Sequence, residues 1–227
     1  MSQPRLPVVA IDGPAGAGKS TLAAHLARRF GLLNLESGAM YRALALKAIE
    51  HDLDLNDEVA LAALATSTSI ELLPSTDGNR VRLDKVDVTR RLREEDVTRA
   101  ASKVSVHPRV RRWMVDEQRK LGTNGGVVME GRDIGTVVFP DAEVKIFLDA
   151  KPEVRGNRRF QQGAVTTTIT EEAVLREIRD RDERDRSRAV SPLVAAQDAV
   201  VIDSTDMSLD EVIAAAEAVV VQHVRGD

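Results

Sequence analysis

The residues most able to do chemistry lie near the N-terminus, where Val8-Val9-Ala10-Ile11-Asp12 drops into Gly13-Pro14-Ala15-Gly16-Ala17-Gly18-Lys19-Ser20-Thr21. Gly13 and Gly18 bracket four residues before Lys19-Ser20, the G-x-x-x-x-G-K-[ST] spacing of a P-loop. Such a loop turns backbone N–H groups inward around phosphate oxygens at the positive end of a helix. A Cβ at Gly13, Gly16 or Gly18 is expected to obstruct that approach. Lys19 is expected to bridge the terminal phosphates as a point charge. Ser20 would offer its hydroxyl to Mg²⁺, which keeps several waters and takes one or two protein oxygens beside phosphate oxygens. The chemistry is that of a nucleoside triphosphate, and switches, motors and kinases all carry such a loop.

Arginine supplies a second set of candidates. The chain has 25 Arg against 7 Lys, and planar bidentate donors suit a phosphate-handling site better than ammonium groups do. Within Arg179 to Arg188, the spacing assigns Arg179 and Arg186, with Arg176 just before them, to a solvated helix face. Arg181, Asp185 and Arg188 lead into the break at Ser191-Pro192, near the expected cleft.

Composition narrows the classes. With 227 residues, one core of ordinary domain size is expected. A net charge of −4 provides no global basic field to draw nucleic acid or an acidic membrane. Cysteine is absent, which removes thiol catalysis and cysteine-ligated zinc, and one Trp, one Tyr and four Phe are too few rings for a base-stacking platform. No run approaches the ~18 apolar residues that span a bilayer, so an intracellular, cytoplasmic protein is expected.

The elements that must position these residues emerge from periodicity. Val8–Ile11 reads as a buried strand, and Leu22, Leu26 and Phe30 place a helix after the loop, ended by Gly31. Leu32–Leu35 is a second strand. Ser37 reads as the cap of a helix reaching about His51, and Asn56 as the opening of another through Ala65. Between Thr68 and Val88 the alternation changes phase at Asp84-Lys85, and Asp77-Gly78 marks a further turn. Three short antiparallel strands are expected there. Helices return at Val97–Val104 and Val110–Leu121, separated by His107-Pro108. Val127–Met129, Val144–Leu148 and Ala199–Ile202 complete five buried strands. Pro152 starts a helix bearing Arg155, Arg158 and Arg159, Gly163–Thr170 reads as a mobile crossover, and Glu171–Arg186 is helical. Ser208 with Glu211 forms a capping box for the last helix. His25, His51, His107 and His223 have no partner pattern. The fold class is α/β, a P-loop NTPase-type five-stranded parallel sheet flanked by helices, with a small three-stranded antiparallel insert and a lid. In such a sheet the ligand sits beyond the carboxyl ends of the strands, which selects Gly13–Ser20, Glu36-Ser37 and Glu130–Asp133.

These blocks carry a family resemblance. The P-loop, Ser37-Gly38-Ala39-Met40-Tyr41-Arg42, Gly131-Arg132-Asp133-Ile134-Gly135-Thr136-Val137-Val138-Phe139-Pro140, Lys145–Ala150 and Arg181–Arg188 resemble the bacterial cytidylate kinases, from Val8 to the last helix. The resemblance implies transfer of the ATP γ-phosphoryl group to CMP, and usually dCMP, by a monomer. It implies a single domain with a core (1–65, 91–150, 187–227), a monophosphate-binding insert (66–90) and a lid (151–186). Ser102, Arg111 and Asp133 match the family's base readers. Ser37, Arg42, Arg132 and Arg188 match its acceptor-phosphate holders, Arg181 and Asp185 meet the ribose, and Tyr41 lines the pocket. Lys19, the lid arginines Arg158 and Arg159, and Mg²⁺ would cancel charge on the transferring group. Family members commonly carry Asp where this chain has Glu36 and Glu130. The rivals are a kinase for another small acceptor, such as UMP or dephospho-coenzyme A, and a nucleotide-regulated switch or motor. The Ser102, Arg111 and Asp133 set stands against the first, and the lack of a guanine-reading Asn-Lys-x-Asp sequence against the second.

Overall fold

The computed structural model describes residues 6–75, 78–163 and 170–224. At its centre β1 (Val8–Asp12) is buried at every position, flanked by β6 (Val127–Gly131) and β7 (Val144–Asp149). β2 (Leu33–Glu36) and β8 (Val200–Asp203) form the edges, giving the order β2-β6-β1-β7-β8. Every pairing is parallel, as expected for strands separated by helices.

Two apolar layers sandwich this sheet. On one face Val9, Ile11, Val128 and Ile146 pack with α1 (Lys19–Phe30) and α8 (Leu209–Val224) through Leu22, Leu26, Ala216 and Val220. On the other, Ala10 and Met129 meet α2 (Ser37–Glu50), α3 (Glu58–Thr66), α4 (Glu95–Val104) and α5 (Pro108–Gly122). Helix α2 has four consecutive fully buried residues, Ala43 to Leu46, so it is enclosed on all sides rather than amphipathic. A separate antiparallel sheet, β3 (Ile70–Ser75), β4 (Gly78–Leu83) and β5 (Val86–Asp87), sits between α3 and α4 in the chain. Its tight turn falls at the phase slip, where Asp84 and Lys85 both have positive φ, at 47° and 72°. Helices α6 (Pro152–Gly163) and α7 (Glu171–Ser187) pack against each other after β7.

Four local expectations need revision or fall elsewhere. Edge strands β2 and β8 are not buried along their length: Leu33 is 51% exposed and Val200 and Val201 are 40% and 58% exposed, because an edge strand has one neighbour and incomplete cover. Helix α3 is capped by Asp57, whose carboxylate accepts from the N–H groups of Val59 and Ala60, one residue after Asn56. Ser37 is the first residue of α2 and donates to Glu130 O at 2.7 Å instead of capping the helix. Asp77 and most of the Gly163–Thr170 crossover lie outside the described residues.

Candidate active site

Because β1 lies between β6 and β7, the loop after β1 and the segment after β6 emerge side by side at the carboxyl end of the sheet. The first is the P-loop. Gly13 has φ +146°, and a Cβ there would lie 2.0 Å from the backbone oxygen of Leu148. At Gly16 a Cβ would meet Arg155 at 3.2 Å. The glycines are thus required first by the protein's own packing, not only by the approach of a phosphate. Gly18 differs: nothing lies nearer than 4.0 Å, and its requirement is the left-handed φ of +97° at the cap of α1.

Lys19 opens α1, is 5% exposed, and donates through Nζ to Pro14 O at 2.7 Å. Burial, then the neighbouring Arg132 charge, pulls its ammonium down to about 7. Ser20 donates to Glu130 Oε1 at 2.7 Å, so the hydroxyl and a carboxylate at the end of β6 share one corner. Asp12 lies deeper. Its carboxylate accepts from the Ile134 and Gly135 N–H groups at 2.8 and 2.7 Å, and burial raises it to about 6 despite those bonds.

A cavity of about 220 Å³ opens opposite the P-loop. All ten residues expected to meet an acceptor line it: Ser37, Tyr41, Arg42, Ser102, Arg111, Arg132, Asp133, Arg181, Asp185 and Arg188. Ala15, Gly16, Lys19, Ser20 and Arg159 complete the side facing the loop. At one end α4 presents Ser102, α5 presents Arg111, and the segment after β6 presents Asp133. Arg111 donates to Asp133 Oδ2 and, through Nη1, to Ser105 O at 3.0 Å, and its guanidinium lies 5.7 Å from the Tyr41 ring. Burial drives the Tyr41 hydroxyl up to about 12, so it stays a neutral donor. Ser102 Oγ and Arg111 Nε are buried with no hydrogen-bond partner among the described residues. Such groups are costly unless a ligand completes them.

At the other end arginines converge. Arg132 donates through Nε to Asp185 Oδ2 at 2.8 Å, and Arg188 approaches Asp185 Oδ1 at 3.7 Å. Burial alone would raise the Asp185 carboxyl, but Arg132, Arg188 and Arg181 together hold it below the usual carboxylate range. Arg181 is lowered to about 10 by burial and by Arg132. Arg42 pairs with Glu36, while Arg159 and Arg181 have no hydrogen bond or ion pair among the described residues. Seven cationic and five acidic side chains line the cavity, a surplus suited to phosphate groups.

Several expected residues stand back from the cavity. Arg158 is turned to Ser204, donating to its hydroxyl at 3.1 Å and its carbonyl at 2.8 Å. Thr21 lines a neighbouring cleft between α1 and β4, and Gly13, Pro14, Ala17 and Gly18 shape the loop without lining the main cavity. Sequence reasoning missed two residues beneath the site. One is Asp12. The other is Arg155, 1% exposed, which donates to Ala150 O, to Ala15 O of the P-loop and to the Asp182 carboxylate. The only signal for Arg155 was its position four residues before Arg159 on one helix face.

A P-loop on a parallel sheet, with an arginine-lined cavity across from it, defines a phosphotransferase for a small acceptor. A family model described as cytidylate kinase matches residues 9–222. The cytidylate kinase of Aeromonas salmonicida is 50% identical over 92% of this chain and 91% of its own. That of Vibrio cholerae is 50% identical over 91% and 92%, and that of Pasteurella multocida 44% over 96% of each. The chain belongs to the cytidylate kinase family. In fold alone, it is similar to the crystal structure of an uncharacterized protein from Eubacterium ventriosum, at a TM-score of 0.50 and 11% identity, over 97% of this chain and 99% of that one.

Proposed function

We propose that this enzyme transfers the γ-phosphoryl group of ATP to CMP and dCMP, giving ADP with CDP or dCDP. The observation that carries the choice of acceptor is the buried set of Ser102 Oγ, Arg111 Nε and the Asp133 carboxylate at one end of the cavity. Cytosine offers N4–H₂ as donor with N3 and O2 as acceptors. Asp133 Oδ2 is engaged by Arg111, leaving Oδ1 to accept from N4, while the unpartnered Arg111 Nε–H and Ser102 hydroxyl would donate to the acceptor edge. Uracil reverses that edge and would leave the carboxylate facing an oxygen, a penalty that grows with desolvation.

With the base at that end, the monophosphate falls among Ser37, Arg42, Arg132 and Arg188, and the ribose beside Arg181 and Asp185. The P-loop, Gly13 to Thr21, holds the donor across the cavity, and Lys19 and Arg159 face the gap. Phosphoryl transfer needs alignment and cancellation of charge on the equatorial oxygens more than covalent help, which is what converging arginines supply. Displacing Lys19 from Pro14 O by a phosphate would recharge the ammonium at neutral pH.

Ser20 Oγ and Glu130, joined at 2.7 Å, form a hard oxygen corner that fits Mg²⁺, and they would hold it. The ion supplies neutralisation of the phosphate oxygens when bound. The same reading includes the division into core, insert and lid, a monomeric chain acting on small molecules rather than nucleic acid or membrane, and a place in the cytoplasm, where ATP is available. No helix among the described residues is long and apolar enough to cross a membrane.

A coupled ADP-release assay with ATP and Mg²⁺ against CMP, dCMP, UMP, AMP and no acceptor tests this. Turnover with CMP and dCMP and little with UMP is the expected result. Equal turnover with UMP or AMP would remove the base-reading assignment. ADP release without acceptor would favour a switch ATPase instead.

A further inference from the structure

We propose that Asp12 is a positioning residue that caps the turn after Asp133 from a neighbouring strand, and thereby frees the Asp133 carboxylate to read the acceptor base. The inference rests on the proposed cytosine reading of Asp133.

Asp12 is the last residue of β1 and stands in register with Gly131, the last residue of β6. Two residues later Asp133 precedes a turn of π-helical form, Ile134–Val138. The first N–H groups of any helical turn lack partners within it, and the residue at the cap position usually satisfies them with its own side chain. Asp is among the residues best suited to that task, and Asp133 occupies the cap position. Its side chain makes no capping bond. Asp12 accepts instead, with Oδ1 on Ile134 N–H at 2.8 Å and Oδ2 on Gly135 N–H at 2.7 Å. The Asp133 carboxylate is left to face Arg111 and the cavity.

The arrangement is tight. The Asp133 carbonyl accepts from the Val137 and Val138 N–H groups at 2.9 and 3.1 Å, which ties its backbone into the Ile134–Val138 turn. A Cβ on Gly135 would lie 3.4 Å from Asp12 Oδ2 and 3.3 Å from the Lys145 stem. Lys145 is itself anchored on Pro140 O and Asp198. The turn is therefore clamped between Asp12 and Lys145. Since the residue after Asp12 opens the P-loop, one carboxylate ties the donor loop to the acceptor reader.

Loss of the Asp12 carboxylate would leave two N–H groups that the Asp133 carboxylate can reach by a local rotation. Base reading and capping would then compete for one side chain. A merely structural role would lower stability or kcat without touching the choice of base, so the CMP to UMP ratio is the diagnostic quantity.

The test compares kcat/KM for CMP and UMP, and KM for ATP, in wild type, Asp12→Asn, Gly135→Ala, Asp133→Ala and Asp12→Asn/Asp133→Ala, with thermal unfolding alongside. Asp12→Asn is expected to cut the CMP preference by about tenfold or more while KM for ATP shifts less than about threefold. In the double variant, Asp12→Asn should remove no further preference beyond Asp133→Ala, since both act through one carboxylate. An unchanged CMP to UMP ratio in folded Asp12→Asn, or multiplicative losses in the double variant, overturns the proposal. Should Asp12→Asn fail to fold, Gly135→Ala decides: it keeps both carboxylates, presses on the same contact, and should lower the ratio if the proposal holds and leave it alone otherwise. Wild-type enzyme with no preference for CMP would overturn the cytosine reading itself, a result distinct from a selective wild type with an equally selective Asp12→Asn.

Discussion

Arg111 on α5 donates to the Asp133 carboxylate after β6, with side chains only 2% and 7% exposed, while Arg111 Nε is buried without a hydrogen-bond partner among the described residues. The pair closes one half of a recognition edge and leaves the other half open. Asp133→Ala is therefore expected to lose CMP discrimination while retaining ATP binding. Because it also strands a buried guanidinium, a stability loss of roughly 3 to 5 kcal/mol is expected alongside. Steady-state kinetics with CMP and UMP, read beside a denaturation curve, separates the two effects. Unchanged preference for CMP would remove Asp133 from base recognition.

Arg132 acts through its charge on Asp185, on Arg181 and on Lys19. Its Nε holds Asp185, burial opposes its charge, and Asp185 raises it above the ordinary arginine range. It also depresses Lys19 across the cavity. Arg132→Ala should cost about 2 to 4 kcal/mol of transition-state stabilisation, seen mainly in kcat. Near-normal turnover would show that Arg181 and Arg188 suffice.

The P-loop glycines should not respond alike. A Cβ at Gly13 would overlap the Leu148 carbonyl oxygen at 2.0 Å, and that oxygen belongs to core strand β7. Gly13→Ala is expected to cost roughly 3 kcal/mol or more, because backbone of a central strand cannot yield. Gly18→Ala meets nothing within 4.0 Å and bears only its left-handed φ, roughly 1 to 2 kcal/mol. Urea unfolding of the two variants checks the order, and equal losses would contradict it.

This contrast shows what the sequence could carry. Spacing located the loop, and strand order brings Ser37, Arg132 and Asp133 to its side, whereas Ser102 and Arg111, on α4 and α5, are expected from the family resemblance alone. All ten residues expected to meet an acceptor line one cavity. Local pattern says nothing of a partner supplied by distant backbone. Asp12 bonds to N–H groups 122 and 123 residues away, and Arg155 reaches Ala15 O across 140 residues. Val200 and Val201 read as buried because apolar runs in edge and central strands look the same until neighbours are counted. The Asn56 to Asp57 shift at α3 is smaller still, since either side chain can cap a helix.

Arg158 and Arg159 are alike in sequence and differ in surroundings. Arg159 lines the cavity, whereas Arg158 holds Ser204 by two hydrogen bonds. Arg159→Ala is expected to lower kcat by one to two orders of magnitude, roughly 1.4 to 3 kcal/mol, with little change in stability. Arg158→Ala should instead lower the melting temperature by a few degrees through about 1 to 2 kcal/mol of lost bonding. A larger kcat loss in Arg158→Ala than in Arg159→Ala would mean that Arg158 leaves Ser204 during turnover.

Asp12 should also set a pH dependence of stability. Burial raises its carboxyl from the ordinary 3.8 to about 6 in the folded protein, against the opposing pull of the Gly135 and Ile134 N–H groups. Below 3.8 both folded and unfolded chains hold the proton. Between 3.8 and 6 the unfolded chain releases it while the folded one keeps it, so folding weakens as pH rises through this window, by up to about 3 kcal/mol. Above the window both forms are ionised and the loss is complete. Asp12→Asn cannot titrate, and subtracting its unfolding free energy from that of wild type cancels to first order the titrating groups that do not interact with Asp12. Lys19, at about 7, is a nearby group whose titration the substitution also shifts. The difference is expected to fall by about 3 kcal/mol between about pH 4 and about pH 7 in urea titrations. A flat difference would mean that the two N–H bonds offset the burial of the charge, leaving the folded carboxyl near its ordinary value.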